Sequence, residues 1–295
     1  MVRDYWRLNA APFDGMLEPA TFYCGASQEE ALARLEWLVD ERQRFALVVG
    51  AEGCGKSHLA AMAVRRLGGR GAEAALLSLG GLSAGGWIEM LFERLPLDAA
   101  SRFEPLRPWQ KLENRVRENT LMERTTALVF DDIDRAPADA VEGIGRLLGA
   151  AEPRFARVAI VATATPAGAA ALPAGFSERA AVRVELDPWD ARDVAGFLAR
   201  SLVRAGGRDD TFTPEATATL ARFTGGMPRT VARPAHLTLV AAAGDQLDRV
   251  DAATIERAWR ELAPDASAPK PDMPADDRDE PTVHPRVKVV RRLFG

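Results

Sequence analysis

The chain is predicted to be an α/β protein: a parallel five-stranded sheet with helices on both faces, followed by a small all-helical domain. Three observations carry this reading. Short apolar runs alternate with segments of helical period between residues 45 and 186, as in a sheet covered on both faces by crossover helices. After Pro188 the apolar residues keep helical spacing and no strand pattern interrupts them. The 295 residues, 47% hydrophobic and 27% charged, suffice for two such units and exclude a wholly disordered, collagen-like or disulfide-knot chain.

Residues 1–25 carry breakers at Pro12, Gly15, Pro19 and Gly25 and aromatic anchors at Trp6, Phe13, Phe22 and Tyr23. An irregular segment packed down on a domain is expected. Ser27, with Glu30 three residues on, has the form of a capping box, and Leu32, Leu35, Leu38 and Val39 continue at helical spacing. Five strands are predicted at Phe45–Val49, Ala74–Leu79, Ala127–Phe130, Val158–Ala162 and Val182–Leu186. Helices are predicted from Lys56 to about Leu67, at Gly86–Leu95, from Pro108 to about Met122 and from Pro137 to about Leu148. The helical domain is expected at Asp190–Ala205, Thr213–Thr224, Pro228–Ala243 and Asp251–Leu262, with caps at Asp190, Thr213 and Asp251. From Pro264 the chain is rich in proline and charge, which predicts a disordered tail ending in the basic-apolar run Arg286–Phe294.

Charge and composition narrow the partners. Lys and Arg number 38 against 42 Asp and Glu, a net charge of −4, so an overall basic footprint for nucleic acid is absent while a local patch stays open. Two cysteines, Cys24 and Cys54, do not make a disulfide framework; a reducing, cytoplasmic location is expected. The first residues lack a signal-peptide core, and no run approaches the ~20 apolar residues of a membrane helix. The 6 tryptophans are spread singly, unlike a stacking platform for bases.

The strongest motif is Gly50-Ala51-Glu52-Gly53-Cys54-Gly55-Lys56-Ser57, which matches G-x-x-x-x-G-K-[ST] between an apolar strand and a helix. The glycines let backbone N–H groups turn toward phosphates, and the helix N-terminus adds its dipole. Lys56 is expected to reach the β- and γ-phosphates, and Ser57 to offer its hydroxyl to Mg2+. The motif implies a nucleoside triphosphate without choosing ATP or GTP. His58 follows directly and completes the predicted nucleotide-binding stretch. A loop of this kind needs an acid for the metal at the end of a nearby strand. Asp131, ending Ala127-Leu128-Val129-Phe130, takes the metal role, and Asp132 is the candidate to polarise the attacking water.

With both phosphate-site motifs, five strands and a helical lid, the chain resembles an AAA+ ATPase. The opening Tyr5-Trp6-Arg7-Leu8-Asn9-Ala10-Ala11-Pro12-Phe13, then Pro19, Phe22-Tyr23 and Glu29-Glu30-Ala31-Leu32, resembles the general secretion pathway A-type (ExeA-like) ATPases, which include transposition helpers of the TniB and MuB kind. The similarity covers roughly residues 5–262. It implies domains at 1–187 (nucleotide-binding), 188–262 (lid) and 263–295 (tail). It further implies Thr165, in Thr163-Ala164-Thr165-Pro166, as a sensor of the γ-phosphate. Arg179, with Arg183 second, stands where a finger reaches a neighbouring subunit's nucleotide. Arg229, in Gly225-Gly226-Met227-Pro228-Arg229, stands where the lid contacts the nucleotide. Phe22 and Tyr23 would lie toward the adenine side.

The function expected is Mg2+-dependent ATP hydrolysis coupled to a protein or DNA partner, with a homo-oligomer formed on ATP binding. Two alternatives stay open: a nucleotide-gated adaptor with little turnover, and a DNA-binding ATPase of the transposition-helper type.

Overall fold

The computed structural model describes residues 2–13, 22–95, 107–150 and 155–262. The expected tail lies outside the described residues. The chain divides into two compact units, one running from Leu17 to Leu186 and the other joining Met1–Met16 to the chain from Asp187.

The first unit is built on five strands: β1 (Phe45–Gly50), β2 (Glu73–Ser78), β3 (Thr126–Asp131), β4 (Val158–Ala164) and β5 (Val182–Leu186). All pair in parallel in the order β2-β3-β4-β1-β5. Every residue of β1, β3 and β4 is buried, which is why these strands read as unbroken apolar runs. The outer strands β2 and β5 alternate buried with half-buried residues, as edge strands do. Register is fixed by partners such as Phe45 with Ile160 and Leu128 with Ile160. The core on one face gathers Phe45, Phe130, Trp87, Leu91 and Ile144, all nearly inaccessible.

Helices of the first unit are α2 (Ala26–Asp40), α3 (Lys56–Gly69), α4 (Trp87–Arg94), α5 (Pro108–Leu121), α6 (Ala138–Gly149), α7 (Pro166–Ala171) and α8 (Phe176–Arg179); the short α1 (Val2–Tyr5) belongs to the other unit. Helix α2 corrects one expectation. It begins a residue before Ser27, and Gly25, not Ser27, stands at its cap. The Gly25 N–H donates to Gln28 Oε1 at 3.1 Å, so the amide of Gln28 does what the Ser27–Glu30 pair was expected to do. At the open end of β2 the Glu73 carboxylate, only 1% exposed, receives Arg115 of α5 in a forked pair, with Nη2 at 2.5 Å.

The second unit packs α9 (Ala191–Arg204), α10 (Pro214–Thr224), α11 (Pro228–Gly244) and α12 (Ala252–Leu262). Asp190, Thr213 and Asp251 receive the N–H groups of Asp193, Ala216 and Thr254 at 2.8, 3.2 and 2.8 Å, the capping pattern expected of each. The opening segment was expected to sit with the sheet. Residues 2–13 instead close this helical unit. Leu8 is buried in its core with Val194, Leu198 and Leu202. The Trp6 Nε1–H donates to the Leu239 carbonyl at 3.0 Å, and the Asn9 N–H to the Ala205 carbonyl at 2.7 Å. The aromatic anchors were legible, but a linear motif ahead of β1 does not say which unit they fill.

The loop between α10 and α11 turns on two left-handed glycines, Gly225 (φ 59°) and Gly226 (φ 67°). The Gly226 carbonyl receives the Trp189 N–H at 2.8 Å, and a Cβ on Gly226 would overlap the Trp189 carbonyl. Gly226→Ala is therefore expected to destabilise the helical unit by about 2 kcal/mol or more, read as a lowered thermal midpoint. Gly225→Ala, with open space around it, is expected to cost about half as much.

Among the described residues, no helix is long and apolar enough to cross a membrane.

Candidate nucleotide site

The buried strand β1 delivers the chain into the loop at Gly50, and α3 takes it up at Lys56. The loop needs its glycines for two reasons. Gly53 and Gly55 lie at φ 84° and 98°, where side chains are strained. Gly50 has no room: a Cβ there would stand 2.5 Å from Cys54 Sγ and 3.1 Å from the Leu186 carbonyl. Cys54 is thus a buried filler of the loop, 3% exposed. Lys56 is 6% exposed, and its Nζ donates to the carbonyls of Gly50 and Ala51 at 2.9 and 3.0 Å. These carbonyls replace the water that burial of an ammonium removes. Ser57 is the second residue of α3 and half-buried; His58 is the third, with its ring stacked on Phe22 at 6.1 Å between centroids. Ala51 and Glu52 form the start of the turn, Glu52 exposed.

Asp131 ends β3 and is 5% exposed. Thr163, on neighbouring β4, donates its hydroxyl to Asp131 Oδ1 at 2.5 Å and accepts the Asp132 N–H at 3.0 Å. One buried hydroxyl therefore ties the two acids together. Asp132 is left-handed, φ 55°, which swings its carboxylate out of the strand line. Gly80, just past β2, lies beside it: a Cβ there would be 3.4 Å from Asp132 Oδ2. Burial, and then the charge of Asp131, push the Asp132 carboxyl above its ordinary range.

Thr165 is placed differently from Thr163. It caps α7, accepting the Gly168 N–H at 3.0 Å, and donates its hydroxyl to Asp134 Oδ2 at 2.5 Å. Its backbone N–H donates to the same oxygen at 3.0 Å. In this structure the hydroxyl foreseen at the γ-phosphate is engaged by Asp134. Sequence reasoning named neither Asp134 nor Arg135, because a run of acids after a strand does not say which of them turn inward. Arg135 stands 3.4 Å from Glu52 and so bridges the turn after β3 to the phosphate loop.

The candidate arginines are spread. Arg179 is exposed on α8 and donates to the Gly145 carbonyl at 3.4 Å. Arg183, on β5, donates to Glu185 at 3.3 Å. Arg229 is exposed at the second position of α11, in the helical unit.

The oxygens of Ser57 and Asp131 are hard donors suited to Mg2+. Among the described residues no group of three or more His, Cys, Asp or Glu gathers to hold an ion unaided. A cation here would share its shell with phosphate oxygens and water, as Mg2+ does.

A glycine loop joining strand to helix, and an acid closing β3 of a sheet ordered β2-β3-β4-β1-β5, followed by a helical unit, make an AAA+-like fold. Residues 39–170 match the model of the AAA domain family. No curated protein matches the chain in sequence. Among known structures it is similar to the Aeropyrum pernix ORC2 protein in its ADPNP–ADP complexes, with 15% identity and TM-score 0.62 over 86% of this chain and 72% of that one. It is similar to Drosophila ORC bound to DNA, with 16% identity and TM-score 0.61 over 90% of this chain and 65% of that one. It is also similar to the Thermotoga maritima RuvB Holliday junction branch migration motor, with 16% identity and TM-score 0.54 over 81% and 70%. At these identities the likeness is one of fold.

Proposed function

We propose that this chain binds ATP with Mg2+, hydrolyses it, and couples its nucleotide state to a protein or DNA partner. The observation that carries the reading is a complete phosphate loop with a buried Lys56, in the same unit as the Asp131–Thr163–Asp132 cluster. On ATP binding Lys56 exchanges the carbonyls of Gly50 and Ala51 for the β- and γ-phosphates. The loop from Gly50 to Ser57 supplies N–H groups, and His58 follows on the helix face. Ser57 and Asp131 would hold Mg2+, which would withdraw charge from the phosphate oxygens. Asp132 orients water for attack on the γ-phosphorus; the bond to the β–γ bridging oxygen breaks, ADP and phosphate leave, and the water's proton passes to Asp132 or to phosphate. Arg229 carries the nucleotide state to the helical unit, Thr165 reads the phosphate release at the end of β4, and Arg179 reaches a second copy in a homo-oligomer. The opening residues Tyr5–Phe13 support the ExeA-like subgroup. The two cysteines, neither in a disulfide, support a cytoplasmic location.

Asp132→Asn separates activity from stability. Turnover is expected to fall about a hundredfold, measured as phosphate release under saturating ATP. At pH 7 the thermal midpoint is expected to rise by about 1–3 °C. The sign follows from the raised carboxyl: the fold disfavours the charged form, so the stability this group contributes is present at low pH and lost as pH rises through its folded pKa. The advantage of asparagine therefore shrinks as the pH falls toward the ordinary carboxylate range. An unchanged rate in Asp132→Asn would remove Asp132 from the chemistry.

A DNA partner is supported by the likeness to ORC bound to DNA and to a Holliday junction motor. It requires binding whose affinity falls with salt and an ATPase rate that DNA changes. Neither effect with duplex, single-stranded or branched DNA would leave a protein partner.

A further inference from the structure

The turn that follows β3 is held on both sides of Asp132. Asp132 itself is left-handed, φ 55°, a backbone state that a residue with a Cβ keeps only where its surroundings enforce it. On the strand side its N–H donates to the Thr163 hydroxyl oxygen at 3.0 Å. Ile133, next in the chain, is fully buried in the core of the sheet unit. On the far side stands Asp134, to which no role has been given above. Its Oδ2 accepts both the hydroxyl and the N–H of Thr165, at 2.5 and 3.0 Å. Its Oδ1 is buried and has no hydrogen-bond partner among the described residues, a cost that calls for a return elsewhere. Opposite the carboxylate, Gly168 of α7 leaves the space that it fills: a Cβ there would stand 2.0 Å from Asp134 Oδ2 and 2.2 Å from Asp134 Cβ. The Gly168 N–H also donates to the Thr165 hydroxyl oxygen at 3.0 Å. Asp134, Thr165 and Gly168 thus form one clamp between the end of β3 and the end of β4.

We infer that Asp134 is a positioning residue for hydrolysis: by gripping Thr165 it fixes the turn after β3, and with it the left-handed backbone from which Asp132 orients the attacking water. Asp134 touches no reacting atom itself. Its work is to hold the chain two residues beyond Asp132, where the pair of Arg135 with Glu52 is exposed on both sides and holds the turn only weakly. Without the clamp, the Thr163 hydrogen bond and buried Ile133 still anchor the strand side. The far side is then free to relax toward the right-handed conformations that a residue with a Cβ prefers, and the Asp132 carboxylate swings with it. Gly168 serves the same end by being bare. The inference rests on the reading of Asp132 as the group that orients water.

The test is phosphate release by the folded full chain at saturating ATP and Mg2+, read alongside its affinity for a fluorescent ATP analogue. Asp134→Ala is expected to lower turnover about tenfold or more, since small misplacements of a reacting group cost this much. Analogue affinity is expected to stay within about twofold, because the loss falls on the chemical step and not on binding. Asp134→Asn, whose amide oxygen can still accept both Thr165 hydrogens, is expected to keep turnover within about threefold. Gly168→Ala, which displaces the carboxylate from the opposite side, is expected to lower turnover as Asp134→Ala does. The deciding comparison is made in Asp132→Asn protein, where no acid is left to place: there Asp134→Ala is expected to change turnover by less than about twofold. A mere structural prop would cost the same factor in both backgrounds, so equal losses overturn the inference. It is also overturned by parent-like turnover in Asp134→Ala, by a loss of affinity as large as the loss of turnover, or by an Asp134→Asn variant as impaired as Asp134→Ala. An unchanged rate in Asp132→Asn alone defeats the reading of Asp132, and this inference with it, whatever Asp134→Ala does.

Discussion

Lys56→Ala is expected to lower ATP turnover by about a hundredfold to a thousandfold, the loss of one well-placed charge worth about 2.7–4 kcal/mol at a transition state. The structure explains why so much rests on one residue. The ammonium is 6% exposed and held by two loop carbonyls at 2.9 and 3.0 Å, so it is kept inside the loop before any ligand arrives. Alanine removes this charge and leaves the Gly50 and Ala51 carbonyls without it. Lys56→Arg is not expected to restore activity, because a planar fork cannot occupy the space of a compact ammonium inside a closed loop. Phosphate release and analogue binding, measured on folded protein, check this. Turnover in Lys56→Ala equal to the parent's would mean that the loop is not where the chemistry occurs.

Arg115→Ala is expected to have the largest effect on stability. The Glu73 side chain is 1% exposed and takes the Arg115 fork at Nε (2.9 and 3.0 Å) and Nη2 (2.5 Å). Removing only the cation strands a buried carboxylate at the first residue of β2, at a cost of about 3–5 kcal/mol. For a unit of this size that is a fall of about 6–20 °C in the thermal midpoint. Arg124 stands 3.8 Å from the same carboxylate but is about half exposed, so it recovers little of the loss. The double variant Glu73→Leu with Arg115→Met should be far milder than Arg115→Ala, since buried pairs replaced together often cost nothing. Equal losses in the single and double variants would place the cost in packing rather than charge.

The parts of this protein legible from sequence are those governed by local rules. Strands β1, β3 and β4 were visible because all their residues are buried and hence apolar. The caps at Asp190, Thr213 and Asp251 were visible because a side-chain oxygen and an N–H three residues on make a local pair. The phosphate loop was visible because backbone curvature demands glycine at fixed positions. What sequence did not disclose depends on tertiary neighbours. The Gly25–Gln28 cap displaced the expected Ser27–Glu30 box although the two patterns overlap at Ser27 and Gln28. Trp6 and Phe13 pack on the core of the helical unit, with Leu8 buried in it, a placement no linear pattern describes. Thr163 and Thr165 look equivalent two residues apart. Thr163 lies within β4 and turns its hydroxyl onto Asp131, while Thr165 lies past the strand end, caps α7 and meets Asp134. Arg135 escaped notice because its partner Glu52 lies 83 residues away.

The measurement that bears most directly on the central claim is steady-state phosphate release from ATP by the full chain with Mg2+, compared with Asp131→Ala. The account predicts turnover in the parent that is lost in Asp131→Ala and on chelation of Mg2+, while the folded state survives. Turnover that persists undiminished in Asp131→Ala, or a parent chain that releases no phosphate at any Mg2+ concentration, would contradict it.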